Sequence, residues 1–123
     1  MAKILIAEDD EGLRNLVVRA LGEDGHALTA TADGAAALDV LKAHNGALDL
    51  LLTDVKMPVM DGIALALASA REHPDLVIML MTGFTDQRER AHGLDALVHD
   101  VITKPFSLGQ IQGAMKEALT VRR

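Results

Sequence analysis

The sequence contains no cysteine, no tryptophan and no tyrosine, and only two of its 123 residues are phenylalanine. The lack of cysteine excludes disulfides, thiolate catalysis and thiolate metal sites. The scarcity of aromatic rings argues against base stacking on nucleic acid and requires a core of aliphatic side chains. No apolar run approaches the ~20 residues of a membrane span, and no signal peptide is recognisable at the N-terminus. We therefore expect a cytoplasmic protein without a membrane segment.

Positive charge is also scarce, since the formal net charge is −6 at pH 7. A duplex-binding protein needs a concentrated basic patch, which this chain lacks, so no nucleic-acid partner is expected. Half of the residues are apolar. A chain of this length and composition suits a single compact core, and we expect residues 1–123 to form one domain.

Five short apolar runs alternate with segments of helical spacing. Runs that lack polar interruption are typical of strands buried on both faces, so the first, third and fourth should be central. Alternation of strands and helices predicts a parallel sheet with helices on both faces, and ligands then bind beyond the carboxyl ends of the strands. The five runs are Ile4 to Ala7, Ala27 to Ala32, Leu48 to Leu52, Leu76 to Met81, and Val98 to Ile102.

Polar residues follow four of these runs and should meet at one edge of the sheet. They are Glu8, Asp9, Asp10, Asp54, Thr82 and Lys104. Two carboxylates ~5 Å apart at an effective dielectric of ~20 repel by roughly 3 kcal/mol, so a cation is needed between them. All-oxygen ligands from a few carboxylates suit Mg²⁺, which is often completed by a phosphate oxygen. The pattern therefore predicts magnesium-dependent phosphoryl chemistry.

Within this set, Asp54 is the best candidate for a nucleophile that attacks phosphorus, because it lies apart from the acidic cluster on a central strand. Thr82 and Lys104 can stabilise charge on the phosphoryl oxygens. Each residue also has an ordinary structural explanation. Asp10, in particular, can simply cap the following helix.

Four motifs in order give the chain a specific resemblance that covers nearly its whole length. They are Ile-Leu-Ile-Ala-Glu8-Asp9-Asp10, Leu-Leu-Thr-Asp54-Val-Lys-Met-Pro-Val-Met-Asp-Gly62, Met-Leu-Met-Thr82-Gly and Ile-Thr-Lys104-Pro-Phe. The sequence resembles the receiver domains of two-component response regulators. The resemblance implies an α/β flavodoxin-like (βα)5 fold, a doubly wound five-stranded parallel sheet of order 2-1-3-4-5. Because only 19 residues follow Lys104, no output domain is expected.

The resemblance also implies roles for the motif residues. Asp54 would be the phospho-acceptor, Thr82 and Lys104 would contact the phosphoryl group, and the protein would assist only its own phosphorylation and dephosphorylation, so it is not expected to be an enzyme. The ligands of Mg²⁺ would be Asp9 directly, Glu8 partly through water, Asp54, and the backbone carbonyl of Lys56. The Lys104–Pro105 bond resembles one that is cis in the family.

Two further features concern how the site is tuned. The family often carries an aromatic residue three places before the lysine, where this chain has Val101, so the aromatic part of the usual switch is missing. Phe84 and Lys56 would flank the site and tune dephosphorylation.

The resemblance implies a sensor histidine kinase or a histidine phosphotransfer protein as phosphoryl donor, docking on the first helix near Gly12, Asn15 and Val18. Output would be phosphorylation-dependent protein binding. The segment from Thr82 to Lys104 is most similar to CpdR-type single-domain cell-cycle regulators, which implies a phosphorylation-controlled adaptor for the ClpXP protease that is active when unphosphorylated. The alternatives are a phosphate shuttle or sink in a phosphorelay, and an aspartate-based phosphatase. A haloacid-dehalogenase-type phosphatase would carry a second acid where this chain has Lys56.

Overall fold

The protein is built on a five-stranded parallel sheet of order β2-β1-β3-β4-β5. The computed structural model describes residues 2–45, 47–83 and 97–120. The strands are β1 (Lys3–Ala7), β2 (Ala27–Thr31), β3 (Leu50–Asp54), β4 (Val77–Thr82) and β5 (Asp100–Thr103). The predicted fold class and strand order are confirmed.

Four helices occur in the described residues: α1 (Glu11–Glu23), α2 (Gly34–Ala43), α3 (Gly62–Glu72) and α4 (Leu108–Thr120). The charged segment 86–90 lies outside these residues. None of the helices that are described has the length and apolar character required to cross a membrane.

Burial along the sheet follows the continuity of the apolar runs. All of β3 is buried, and β1 is buried except at Lys3, whereas the edge strands β2 and β5 have exposed residues. This agrees with the prediction that the first, third and fourth runs are central, because central strands are covered on both faces. The position of β3 between β1 and β4 places its carboxyl end at the middle of the sheet edge.

Alternating side chains of the strands form two aliphatic layers. Leu5, Leu51 and Leu80 face α2 and α3, and we call this the α2/α3 layer. Their neighbours Ile6 and Leu52 face α1 and α4 in the opposite layer. The period-2 alternation of a strand explains this division, since successive side chains point to opposite faces. The core is therefore aliphatic, as the scarcity of aromatic residues requires.

Three helices begin at an aspartate that follows a strand or a turn. The side chains of Asp10, Asp33 and Asp61 accept hydrogen bonds from backbone N–H groups in the first turns of α1, α2 and α3. Such caps satisfy N–H groups that have no partner within the helix. Each of these helices follows a strand, so it begins beyond the carboxyl edge of the sheet, where the polar residues of the motifs lie.

Candidate functional site

The loop after β1 carries two acidic side chains with opposite surroundings. Glu8 is fully buried, whereas Asp9 is exposed. The Glu8 carboxylate accepts a hydrogen bond from the backbone N–H of Asp10 at 3.0 Å. Asp10 itself is exposed and caps α1 by accepting from Leu13 N–H at 3.0 Å. Asp10 therefore has the structural role that the sequence left open for it.

Asp54 is the last residue of β3 and is 6% exposed. Its Oδ1 accepts a hydrogen bond from the Val55 N–H at 3.0 Å. The backbone behind Asp54 is approached by the first residue of α3, Gly62, whose N–H donates to the Val55 carbonyl at 2.8 Å. A Cβ at Gly62 would overlap the Asp54 carbonyl oxygen, so the packing of α3 behind the strand end requires glycine.

Lys104 joins the two buried carboxylates. Its Nζ lies 2.8 Å from Glu8 Oε1 and 3.0 Å from Asp54 Oδ1. The ammonium is partly screened from solvent, with its side chain 22% exposed. The Lys104–Pro105 peptide bond is cis. One cation thus contacts two anions that come from separate strand ends.

Thr82 ends β4 and is buried. Its neighbour Met81 is in register with Asp54, so Thr82 lies one residue beyond Asp54 on the adjacent strand. The Thr82 carbonyl accepts a hydrogen bond from the Lys104 N–H at 2.8 Å. The threonine and the lysine are therefore tied together by backbone, at the same edge of the sheet as Asp54.

Other residues singled out in the sequence lie around this edge. Lys56 is exposed, two residues beyond the end of β3. Val101 is half-buried and packs in the α2/α3 layer. Phe84 lies outside the described residues. On the expected docking patch of α1, Gly12 and Asn15 are exposed and Val18 is half-buried.

Burial is the main influence on the charges of the site. It raises the pKa of the Glu8 carboxyl and of the Asp54 carboxyl, although hydrogen bonds from Lys104 act in the opposite direction. Burial alone would lower the pKa of the Lys104 ammonium. The hydrogen bonds and negative charges of Glu8 and Asp54 together outweigh burial, so the pKa of Lys104 is raised. The site therefore retains protons more strongly than the same groups would in water.

The donor atoms suit a hard divalent cation. One carboxylate oxygen from each of Glu8, Asp9 and Asp54 lies within 4.8 Å of the other two. Lys104 neutralises only part of this charge, and Asp9 faces solvent, from which an ion would enter. Carboxylate oxygens with room for water are the ligands that Mg²⁺ prefers. The residues at this edge therefore fit a magnesium ion.

Arg14 belongs to none of the sequence motifs, but the structure places it beside the acidic loop. Its Nη1 donates to the Glu8 backbone carbonyl at 2.9 Å. The partner of Arg14 is a backbone atom, so no residue type in the sequence points to the contact. The one sequence feature that could have suggested it is the position of Arg14 four residues after the capping Asp10, a spacing that directs its side chain back toward the loop.

The sequence profile of the response regulator receiver domain matches residues 4–116. The chain is 37% identical over 119 residues to the response regulator receiver protein CpdR of Brucella abortus, covering 97% of this chain and 98% of that protein. It is also 31% identical over 118 residues to the sensor kinase CckA of the same organism, covering 96% of this chain but only 12% of the kinase.

Solved structures agree in fold. The Thermotoga maritima response regulator TrrA, determined in complex with Mg²⁺ and BeF, superposes with a TM-score of 0.85. The two chains are 24% identical, and the match covers 96% of this chain and 99% of TrrA. At this identity the superposition supports the fold alone.

Proposed function

This chain belongs to the response regulator receiver domain family, a family of signalling domains, and from that premise we propose that it is a switch operated by phosphorylation of Asp54. One observation carries the proposal: the Lys104 ammonium contacts both the Asp54 carboxylate and the Glu8 carboxylate. An acceptor carboxylate, a group of oxygen ligands and a cation for the transferred group are thereby within reach of each other. The donor would be a phosphohistidine on a sensor histidine kinase or a phosphotransfer protein.

In this proposal Asp9, Glu8, Asp54 and the backbone carbonyl of Lys56 hold Mg²⁺, with Glu8 acting partly through water. When bound, Mg²⁺ supplies positive charge that offsets the repulsion between an anionic acceptor and an anionic phosphoryl group. The grouping of the three carboxylates within 4.8 Å supports this assignment. That TrrA was determined with Mg²⁺ and BeF is consistent with it.

The transfer itself requires little of the protein beyond position and charge. A carboxylate oxygen of Asp54 attacks phosphorus, the bond from phosphorus to the histidine nitrogen breaks, and the electron pair leaves with the imidazole. Lys104 shifts from pairing with carboxylates to stabilising the phosphoryl oxygens, and the Thr82 hydroxyl donates to another of them. The short distance from Nζ to Asp54 supports this role for Lys104.

We propose that output is by protein binding in the cytoplasm, from a chain that works as a single domain. The CpdR relative, which this chain matches over nearly its full length, supports a similar role as an adaptor for the ClpXP protease. The similarity to part of CckA supports a histidine kinase as upstream partner. A phosphate shuttle or sink is the second candidate, and Val101 favours it because position 101 lacks the aromatic ring that often carries the signal outward in this family.

The acceptor is tested by incubating wild-type protein, Asp54→Asn and Asp75→Asn with acetyl phosphate and Mg²⁺. Asp75 is exposed and serves as a matched control. We expect an 80 Da mass increase, about the mass of a phosphoryl group, on wild type and Asp75→Asn only, and its loss when EDTA removes Mg²⁺. Undiminished incorporation in Asp54→Asn would show that the acceptor lies elsewhere.

The output is tested by adding wild-type protein, with and without beryllofluoride, and Asp54→Ala to a reconstituted ClpXP degradation assay. The adaptor role predicts stimulation by Asp54→Ala and by untreated wild type, and its loss with beryllofluoride. If no state binds or stimulates ClpXP while Asp54 still accepts and returns phosphoryl groups to a phosphotransfer protein, the shuttle is correct and the adaptor role is wrong.

A further inference from the structure

We propose that Arg14 is a positioning residue that sets the direction in which Asp9 presents its carboxylate to the cation site. The inference rests on the proposed function, because it concerns the same site. It adds a residue that belongs to none of the four motifs. Arg14 lies in α1, and its side chain reaches back over the loop that connects β1 to this helix.

The contact acts on the peptide unit between the two acidic residues. Arg14 Nη1 donates to the Glu8 carbonyl oxygen at 2.9 Å, and that carbonyl belongs to the Glu8–Asp9 peptide group. A peptide group is planar, so a hydrogen bond to its oxygen fixes the plane from the Glu8 Cα to the Asp9 Cα. The Asp9 Cα, from which the Asp9 side chain projects, lies at the end of this plane. The direction of the Asp9 side chain therefore depends on the guanidinium of Arg14.

The remaining hydrogen bonds hold the residues on either side of Asp9. Glu8 N–H donates to the Thr31 carbonyl at 3.0 Å, and the Glu8 carboxylate is held by Lys104 and by the Asp10 N–H. Asp10 accepts from Arg14 N–H through its carbonyl at 2.8 Å. Arg14 thus bonds the loop twice, once from its backbone and once from its side chain. Asp9 is exposed, and its carboxylate is oriented through the backbone that these bonds hold.

The chemistry of the guanidinium suits this position. It presents several N–H donors in a rigid plane, so it can hold a carbonyl oxygen in a fixed direction beside several carboxylates. Lysine carries a single, strongly hydrated ammonium on a flexible stem, so it lacks the planar set of donors that arginine offers. The effect of Arg14 should therefore depend on where its donor lies as well as on its charge.

The test compares Arg14→Met, Arg14→Lys and Arg19→Met. Arg19 is exposed on the same helix, and Arg19→Met removes the same charge without touching the loop. Mg²⁺ affinity is measured by calorimetry, the backbone amide shift of Asp9 by NMR, and stability by urea unfolding. We expect Arg14→Met to weaken Mg²⁺ binding about tenfold, the low end of the range for residues that orient metal ligands. Arg14→Lys should recover part of the loss, and Arg19→Met should stay within about twofold of wild type.

The Asp9 amide shift separates positioning from general destabilisation. It should move in folded Arg14→Met before Mg²⁺ is added and stay unchanged in Arg19→Met. Loss of a positive charge by itself favours Mg²⁺ binding, so charge cannot explain a weaker affinity. Equal loss of affinity in Arg14→Met and Arg19→Met would show that the contact with the Glu8 carbonyl is not the cause and would overturn the inference. If Arg14→Met does not fold, Arg14→Lys with Arg19→Lys as control decides, and Mg²⁺ affinity equal to wild type in both overturns it.

These outcomes differ from a failure of the proposed function. If wild-type protein neither binds Mg²⁺ nor accepts a phosphoryl group at Asp54, the proposed function is wrong. If wild type does both and Arg14→Met binds Mg²⁺ as tightly, only the role of Arg14 is wrong.

Discussion

Replacement of Lys104 by methionine removes the cation that joins Glu8 and Asp54 while keeping most of the apolar stem. Nζ lies 2.8 Å from Glu8 and 3.0 Å from Asp54. At an effective dielectric of ~20, each contact corresponds to roughly 5 to 6 kcal/mol of attraction. Desolvation of the ammonium offsets several kcal/mol of this, and the partial exposure of the side chain screens more. We therefore expect Lys104→Met to lower the free energy of unfolding by about 3 kcal/mol at pH 7 without Mg²⁺.

The loss should shrink as the pH falls. Burial already raises the pKa of Glu8 and of Asp54, and removal of the lysine takes away a hydrogen bond that lowered both values. The folded protein then binds protons more tightly than the unfolded chain, whose carboxyl pKa values are near 4. For such groups stability is highest below the unfolded pKa and is lost as the pH rises through the folded pKa. Lys104→Met should thus be closest to wild type near pH 4 and furthest from it at neutral pH.

The free energy of unfolding is measured by urea denaturation at each pH. Unfolding is monitored by far-UV circular dichroism, because the chain has no tryptophan for fluorescence. Mg²⁺ should restore part of the lost stability, because a ligand that binds the folded state stabilises it. Lys116→Met on the exposed face of α4 is the control and should change stability by less than about 0.5 kcal/mol. If Lys104→Met is as stable as Lys116→Met at pH 7 without Mg²⁺, the electrostatic account of the site is incorrect.

Three further predictions concern stability and use the same assay. Gly62→Ala should destabilise by about 3 kcal/mol or more, because its Cβ would overlap the Asp54 carbonyl. Gly113→Ala in the open interior of α4 should stabilise by about 1 kcal/mol, and equal effects of the two would refute the packing argument. Val59 has φ 69° and is 84% exposed, so Val59→Gly should not destabilise and should gain up to about 1 kcal/mol, whereas Val59→Ala, which keeps its Cβ, should give no such gain. Among the described residues the buried hydroxyl of Ser69 has no hydrogen-bond partner, so Ser69→Ala should be neutral or stabilise by about 1 kcal/mol, and a loss above that would indicate a bound water.

Sequence patterns predicted the strands well and their starting residues less well. The apolar run that begins at Leu48 corresponds to a strand that begins two residues later, at Leu50, and the run that begins at Val98 corresponds to a strand that begins at Asp100. Leu48 and Val98 are nevertheless buried. Hydrophobicity reports burial, whereas a strand also needs a hydrogen-bonded neighbour in register. The burial was therefore readable from the sequence, and the pairing was not.

The aliphatic core, the alternation of strands and helices, and the polar groups at strand ends could all be predicted from the sequence. Each depends on neighbours along the chain, such as the capping of α1 by Asp10. Packing in three dimensions buries Glu8 fully while the adjacent Asp9 stays exposed, and it brings Arg14 to the carbonyl between them. It also brings Lys104 to Glu8, 96 residues away along the chain. Contacts of this kind depend on how strands and helices pack in three dimensions, and local sequence patterns carry no record of that packing.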